Sequence, residues 1–299
     1  MPGKPDRSTS PRRRELADEL ADARKLANLS VRDLADRMEC SPNKVFRMET
    51  DAKGATEFDV TSFLLHCGAS REKTLRVLNL VHETDDAYRL RTHGERLPDE
   101  LRSLAVQENL ANSITGFEPQ LIPGILQTED YARAVFRSAG MFAEDDIETR
   151  VRARRARQHV LHRPQPPRFT FFLHEQAVRT MVGGPSVMHE QILHLLLTGS
   201  AGRAVLRVIP ESACPGGVLG GSFWLLRYIE HRPLVYVQTE AVSLFLEDPE
   251  QIAHYQKILA RLAELALDGR QSPEWLATVA SDLERLKNGS RWPPETPPT

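Results

Sequence analysis

The sequence contains little cysteine, and the three cysteines are far apart. Cys40, Cys67 and Cys214 form no CxxC pair. An odd number of widely spaced cysteines argues against a disulfide framework or a structural zinc site, and it is typical of a reducing compartment. We therefore expect a cytoplasmic protein without a metal site.

Long apolar runs are also lacking. Even residues 192–197, which are apolar except for His194, are far fewer than the roughly 20 apolar residues that a membrane-spanning helix needs. Residues 1–14 are polar and rich in arginine, without the apolar core of a secretory signal. We therefore expect no contact with a membrane.

Neither positive nor negative charge is in large excess. The chain has 39 basic and 41 acidic residues among 299, which gives a formal net charge of −2. Such a balance excludes binding to nucleic acid or anionic membrane by bulk charge, so any nucleic-acid contact must be local. At about 150 residues per domain, the length predicts two domains.

The sequence pattern predicts five short helices in residues 15–82. Ser30, with Asp33 three residues later, resembles a capping box at the start of the second helix. Ser41 followed by Pro42 predicts the start of the third helix. The connection between these two helices is only about four residues long, so they must cross at a large angle, as in a helix-turn-helix.

The rest of the chain changes in composition. Short runs rich in β-branched and aromatic residues alternate with helical patterns, and they predict strands at residues 168–173, 204–209, 221–228 and 234–238, the last two paired. The expected fold class is α+β: an all-α, five-helix helix-turn-helix domain followed by a larger mixed α/β domain with a small sheet.

The patterns predict five segments along the chain. These are a flexible basic tail at 1–14, the helix-turn-helix domain at 15–82, a linker or connecting helix at 83–103, a C-terminal sensor or partner-binding domain at 104–288, and a flexible tail at 289–299.

The start of the third helix is the candidate DNA-reading surface, since that part of a helix-turn-helix enters the major groove. Asn can bond adenine, and Lys or Arg can bond guanine or phosphate. The predicted DNA-binding residues are Arg32, Ser41, Pro42, Asn43, Lys44 and Arg47, with phosphate contacts from Arg12, Arg13 and Arg14 in the tail. The alternative is that these are solvated faces of an ordinary helical bundle.

The N-terminal residues resemble a known family. Leu29-Ser30, Leu34-Ala35, Met38, Ser41-Pro42 and the run from Val45 to Glu49 are similar to the phage-repressor (Cro/cI, or XRE) family of DNA-binding domains. That family commonly has a small residue such as Gly where Glu39 stands. A non-glycine residue held at positive φ costs about 1 kcal/mol, so we expect Glu39 to weaken the turn without abolishing it.

The C-terminal half carries a second resemblance. The segment from Phe117 to Ala132 (FEPQLIPGILQTEDYA), Arg157-Gln158 and the run from His174 to Ala177 are similar to a C-terminal domain found behind repressor-type domains in actinobacteria, including the WhiJ-like developmental regulators. The resemblance implies a regulator, often encoded near a small partner protein and sometimes described as antitoxin-like.

Four C-terminal residues are candidates for contact with a ligand or partner, namely Gln127, Tyr131, Arg157 and Gln158. For Gln127 and Tyr131, the sequence favours a structural explanation over a pocket: a turn followed by a helix cap accounts for the segment. For the arginine-rich helix that contains Arg157, a solvated helix or one whose arginines pair within the protein is favoured over an anion or partner site.

No catalytic constellation is present. His189-Glu190 with His194 has a spacing of five rather than four, which rotates the second histidine away from the first. Nucleophile-elbow and phosphate-loop motifs are absent. We expect no cofactor and no enzymatic activity.

These features together predict a transcriptional regulator that binds specific double-stranded DNA. Its C-terminal domain would form a homodimer and sense a small-molecule effector or a small neighbour-encoded protein. The alternative is an antitoxin-like interaction module that binds a small partner protein and has weak or no DNA binding.

Overall fold

A computed structural model describes residues 9–52, 54–83, 90–92, 99–215, 220–239 and 242–288 of the protein. The predicted tail at 289–299, residues 1–8 of the predicted tail at 1–14, and much of the predicted linker (84–89 and 93–98) lie outside these residues.

The N-terminal helices form as the sequence predicts. Ser30 and Asp33 make the reciprocal hydrogen bonds of a capping box, and Ser41 accepts a hydrogen bond from the backbone of Lys44. The core between the helices includes Leu20, Leu34 and Val45, all fully buried. The five helices are α1 (Pro11–Leu26), α2 (Val31–Arg37), α3 (Pro42–Thr50), α4 (Glu57–His66) and α5 (Arg71–His82).

The turn between α2 and α3 requires a left-handed residue. Glu39 has φ of 50°, in the left-handed region that favours glycine. This backbone conformation lets the amide of Cys40 donate to the carbonyl of Ala35 at 2.9 Å, which ends α2.

The prediction of a flexible tail was wrong for residues 11–14. Helix α1 begins at Pro11, because proline suits the first helical position, where no amide donor is needed. Arg14 and Glu15 are buried at 2% and 4% exposure. The sequence did not indicate this helical turn, because the segment has no apolar periodicity and the buried side chains are polar.

The C-terminal half contains most of the remaining elements. Its described helices are α6 (Asp99–Leu110), α7 (Glu129–Ala139), α8 (Glu144–Arg157), α9 (Glu175–Arg179), α10 (Pro185–Ser200), α11 (Pro249–Leu265) and α12 (Gln271–Lys287). Its described strands are β1 (Leu90–Thr92), β2 (Ser113–Glu118), β3 (Arg168–His174), β4 (Ala204–Ile209), β5 (Phe223–Arg227), β6 (Leu234–Gln238) and β7 (Val242–Leu246). The expected boundary between residues 103 and 104 falls within α6.

The strands form one seven-stranded mixed sheet in the order β1-β7-β6-β5-β2-β3-β4. β2, β3 and β4 run parallel to one another, whereas β5 is antiparallel to both β2 and β6. The mixed α/β architecture confirms the predicted fold class. The sheet is larger than expected, since β1, β2 and β7 were not predicted.

Each face of the sheet packs against helices. On one face Phe117, Phe172 and Phe223 form a cluster with Ile252 and Leu262 of α11. The opposite face carries Phe171, Trp224, Tyr236 and Phe245, and these residues belong to the main core, which continues into the N-terminal helices. The two halves of the chain therefore share one hydrophobic core.

Candidate nucleic-acid interface

Helix α3 is fixed at both ends by ion pairs to neighbouring helices. Near its C-terminus, Glu49 makes two bonds with Arg24 of α1, at 2.5 and 2.8 Å. Near its N-terminus, Lys44 lies 2.5 Å from Asp59 of α4. Two bonds between Arg and a carboxylate set direction as well as distance, so α3 has a defined orientation relative to α1 and α4.

The outward face of α3 remains exposed. Asn43 and Arg47 are four residues apart, which places them on one side of the helix. Arg32 of α2 is exposed as well. Within the part of the chain that the structure describes, neither Arg32 nor Arg47 makes an ion pair, so their guanidinium groups are available to an outside partner.

Other predicted contacts on α3 already have structural partners. The Ser41 hydroxyl accepts from the amide of Lys44 at 3.3 Å, and Pro42 occupies the first helical position. The ammonium group of Lys44 is bound to Asp59, although 40% of the side chain is exposed. Burial raises the pKa of Asp59, but hydrogen bonds from Lys44 and Thr56 outweigh it, and the net pKa is lowered. Direct DNA contact by these residues stays a prediction.

The predicted phosphate contacts from the tail need correction at Arg14, while those of Arg12 and Arg13 stay predictions. Arg13 pairs with Asp51 at 2.8 Å, and Arg14 is buried with Glu247 at 3.2 Å. Arg12 donates to the carbonyl of Leu80 at 2.7 Å. These arginines lie in helix α1 and bind protein groups, and the burial of Arg14 excludes it from contact with phosphate.

One exposed residue on α3 was missed. Phe46 stands beside Arg47 with 56% of its surface exposed. Val45 and Met48 are the buried residues of this helix, and Phe46 lies about 100° away from Val45 around it. A helical projection of the sequence would have placed this aromatic ring on the outward face, where it can contact thymine methyl groups.

Three of the four C-terminal candidates, Gln127, Tyr131 and Gln158, lie close together. Gln127 donates to the carbonyl of Ile122 at 2.7 Å and accepts from Arg154 at 2.5 Å, while Gln158 donates to the carbonyl of Gln127 at 2.6 Å. The hydroxyl of Tyr131 accepts from the amide of Ile122 at 3.3 Å. For Gln127 and Tyr131 these contacts favour the structural explanation, a turn and a capped helix.

Arg157 belongs to a buried charged group beneath the sheet. It lies 3.0 Å from Glu108 of α6, which is fully buried, and its guanidinium is 5.6 Å from the centre of the Trp224 ring. Trp224 in turn donates to Glu118 at 2.7 Å. Burial raises the pKa of Glu108 and of Glu118 to about 7, although Arg157 and Trp224 each act to lower the pKa of the carboxyl group that they contact.

Comparison with known families agrees with both halves of this architecture. Residues 101–278 match the model of a domain of unknown function, DUF5753. The chain belongs to the DUF5753 family. Residues 15–77 match a helix-turn-helix domain model, which covers α3 and the helices that hold it. No curated protein and no solved structure matched the chain.

The two matches support a DNA-binding regulator that joins a helix-turn-helix domain to a DUF5753 domain. None of the helices in the described ranges is long and apolar enough to cross a membrane. The same ranges contain no group of three or more His, Cys, Asp or Glu side chains arranged to hold a metal ion.

Proposed function

We propose that this DUF5753 protein is a transcriptional regulator that reads an operator with the outward face of α3. The observation that carries the proposal is that face: Asn43, Phe46 and Arg47 project from a helix that ion pairs orient at both ends. Asn and Arg supply hydrogen bonds to base edges, and the aromatic ring supplies an apolar contact.

We also propose that the regulator acts as a homodimer. A single helix-turn-helix covers only a few base pairs, whereas two of them bind half-sites separated by about one DNA turn of 34 Å. Duplication of the contact gives the specificity that one small interface lacks. The operator would then be an inverted repeat.

The role that we propose for the DUF5753 domain is sensing. The resemblance to WhiJ-like regulators of actinobacteria supports a small-molecule effector or a small partner protein as its ligand. The continuous core between this domain and α1 supports transmission of the signal to the DNA-binding helices. In this proposal the protein is cytoplasmic and performs no catalysis.

DNA binding can be tested with fragments from upstream of the protein's own gene. In fluorescence anisotropy, Arg47→Ala and Asn43→Ala should each weaken operator binding by about 1–3 kcal/mol and relax the sequence preference at one position. Arg270→Ala is the matched control, because this exposed arginine lies at the start of α12 in the other domain. Unchanged operator affinity in both α3 variants would show that the face is wrongly assigned.

One observation favours a protein-interaction module as the second candidate. Lys44 and the arginines at 12–14, all predicted to bind DNA, contact protein groups instead, which leaves a small basic surface. Under this alternative, a small neighbour-encoded protein would co-purify with the full chain, and no DNA fragment would be retained at physiological salt.

A further inference from the structure

The C-terminal end of α3 is tied to the start of α1. Asp51, the residue that follows α3, accepts a hydrogen bond from the Thr9 hydroxyl at 2.9 Å and forms an ion pair with Arg13 at 2.8 Å. Thr9 is buried, and the side chains of Arg13 and Asp51 are only 17% and 29% exposed. The Asp51 contact, by which we mean these two bonds, holds the end of α3 on the beginning of α1.

The backbone at this end of α3 adopts a conformation that other contacts must hold. The amides of Asp51 and Ala52 both donate to the carbonyl of Arg47, at 3.1 Å each. Ala52 has φ of 49°, in the left-handed region that is unfavourable for residues other than glycine. Such a conformation persists where the surrounding structure fixes it. The side chain of Asp51, directly before Ala52, supplies contacts of this kind.

The same turn of α1 is held on the sheet of the DUF5753 domain. The guanidinium of Arg14 lies 3.2 Å from Glu247 and 4.4 Å from the centre of the Tyr228 ring. Arg13 and Arg14 are successive residues of one helix, about 1.5 Å apart along its axis. A displacement of Arg14 by the sheet therefore moves Arg13, which carries the ion pair to Asp51.

The connection between β5 and β6 also comes close to Asp51. His231 belongs to this connection, and the centre of its ring is 5.9 Å from the centre of the Tyr228 ring. Burial lowers the pKa of His231, as does the charge of Arg14, whereas the charge of Asp51 acts to raise it. Both charges are thus near enough to act on one imidazole. The sheet and the end of α3 meet at the start of α1.

We propose that Asp51 is a positioning residue for operator binding, through which the DUF5753 sheet sets the orientation of α3. The Asp51 contact fixes the end of α3 on the first turn of α1, and the sheet holds that turn through Arg14. An effector that displaces the sheet next to Arg14 changes how the outward face of α3 meets DNA. This inference rests on the proposed function, and it names the route by which the sensing domain acts on α3.

The negative charge of Asp51 lets DNA binding separate two roles. Acidic groups near DNA repel phosphate, so electrostatics alone predicts that Asp51→Ala binds operator as tightly as the wild type or more tightly. The positioning role predicts the opposite, a loss of about fivefold or more in fluorescence anisotropy. Asp51→Asn keeps the shape and an acceptor oxygen, so it should recover part of the loss.

Asp36→Ala is the matched control. Asp36 is exposed on α2 and forms no ion pair within the described ranges, and its replacement removes the same charge from the same domain. This variant should bind operator at least as tightly as the wild type does. A loss as large as that of Asp51→Ala would overturn the proposal.

The link to the sheet is tested with Arg14→Lys, which keeps the charge but loses the planar group over the Tyr228 ring. Operator affinity should fall in this variant too. The double variant Arg14→Lys/Asp51→Ala should bind about as tightly as Asp51→Ala, because both changes interrupt the same route. Losses that multiply in the double variant would overturn the link to the sheet.

Hydrogen exchange of the full-length protein without DNA gives a second measurement. The backbone amides of residues 47–52 should exchange severalfold faster in Asp51→Ala and in Arg14→Lys, and at the wild-type rate in Asp36→Ala. The proposal is overturned when Asp51→Ala keeps either the operator affinity or the amide exchange of the wild type. A wild-type protein that binds no DNA fragment would disprove the regulator, and the exchange rates would still decide whether Asp51 and Arg14 fix the end of α3.

Discussion

Arg14 of α1 donates to Glu247, 233 positions away in the sequence, at a distance of 3.2 Å. The Arg14 side chain is buried, and its guanidinium lies 4.4 Å from the centre of the Tyr228 ring. The hydroxyl of Tyr228 donates to Gln107, whose amide donates to the carbonyl of Pro11. The first turn of the DNA-binding domain is thus held on the DUF5753 sheet by polar contacts.

Removal of Arg14 should destabilise the protein. Arg14→Met leaves Glu247, with a side chain only 15% exposed, without this cation, and breaking a buried pair from one side costs about 3–5 kcal/mol. Urea denaturation should therefore show a lower free energy of unfolding. The double variant Arg14→Met/Glu247→Leu should recover most of the loss, because well-packed apolar groups can replace a buried pair at little cost. An equally unstable double variant would contradict this.

Stability should depend on pH through Glu108. Its pKa is raised from 4.5 to about 7 in the folded protein, so the folded state binds the proton more tightly than the unfolded state. The stabilisation from this proton is complete below about pH 4.5 and is lost as the pH rises through about 7. We expect the free energy of unfolding to fall by roughly 1–3 kcal/mol between pH 5 and pH 8.

The control for this pH effect is Glu108→Gln. Glu118 carries a similarly raised pKa, so the variant should lose part of the slope and not all of it. Arg157 contacts Glu108 and offsets part of the cost of ionising it. A slope identical to that of the wild type would show that Glu108 does not titrate in this range.

Local features of the fold were predictable, whereas non-local partners were not. The cap at Ser30 and the proline at residue 42 act on their own helices, so the sequence indicates them directly. Strand β2 contains Gly116, although glycine is a poor strand former. The structure explains it: a Cβ atom at this position would lie 2.8 Å from the ring of Phe171, which is 55 residues away in the sequence. The sequence likewise places Arg14 in a polar tail, because its partner Glu247 is far away along the chain.

Glu39→Gly should stabilise the helix-turn-helix. The backbone of Glu39 has φ of 50°, and a non-glycine residue pays about 1 kcal/mol or more for this conformation. We expect a gain of about that size in the free energy of unfolding by urea, reduced by the greater freedom of glycine in the unfolded chain. Asn28→Gly, at φ of 54°, is the matched control and should gain less, because asparagine tolerates this region. A loss of stability in Glu39→Gly would contradict the assignment of strain.

Phe46 provides a test of base contact that is separate from charge. Its ring is 56% exposed, so Phe46→Ala should change the free energy of unfolding by less than about 0.5 kcal/mol. Operator affinity should nevertheless fall, because in the proposed complex the ring packs against the C5-methyl group of thymine in the major groove. Replacing each operator thymine by uracil, which lacks that methyl group, should weaken wild-type binding at one or two positions and leave the Phe46→Ala complex unchanged there. Equal losses in both proteins at every position would mean that the ring faces the DNA backbone or solvent and does not read the sequence.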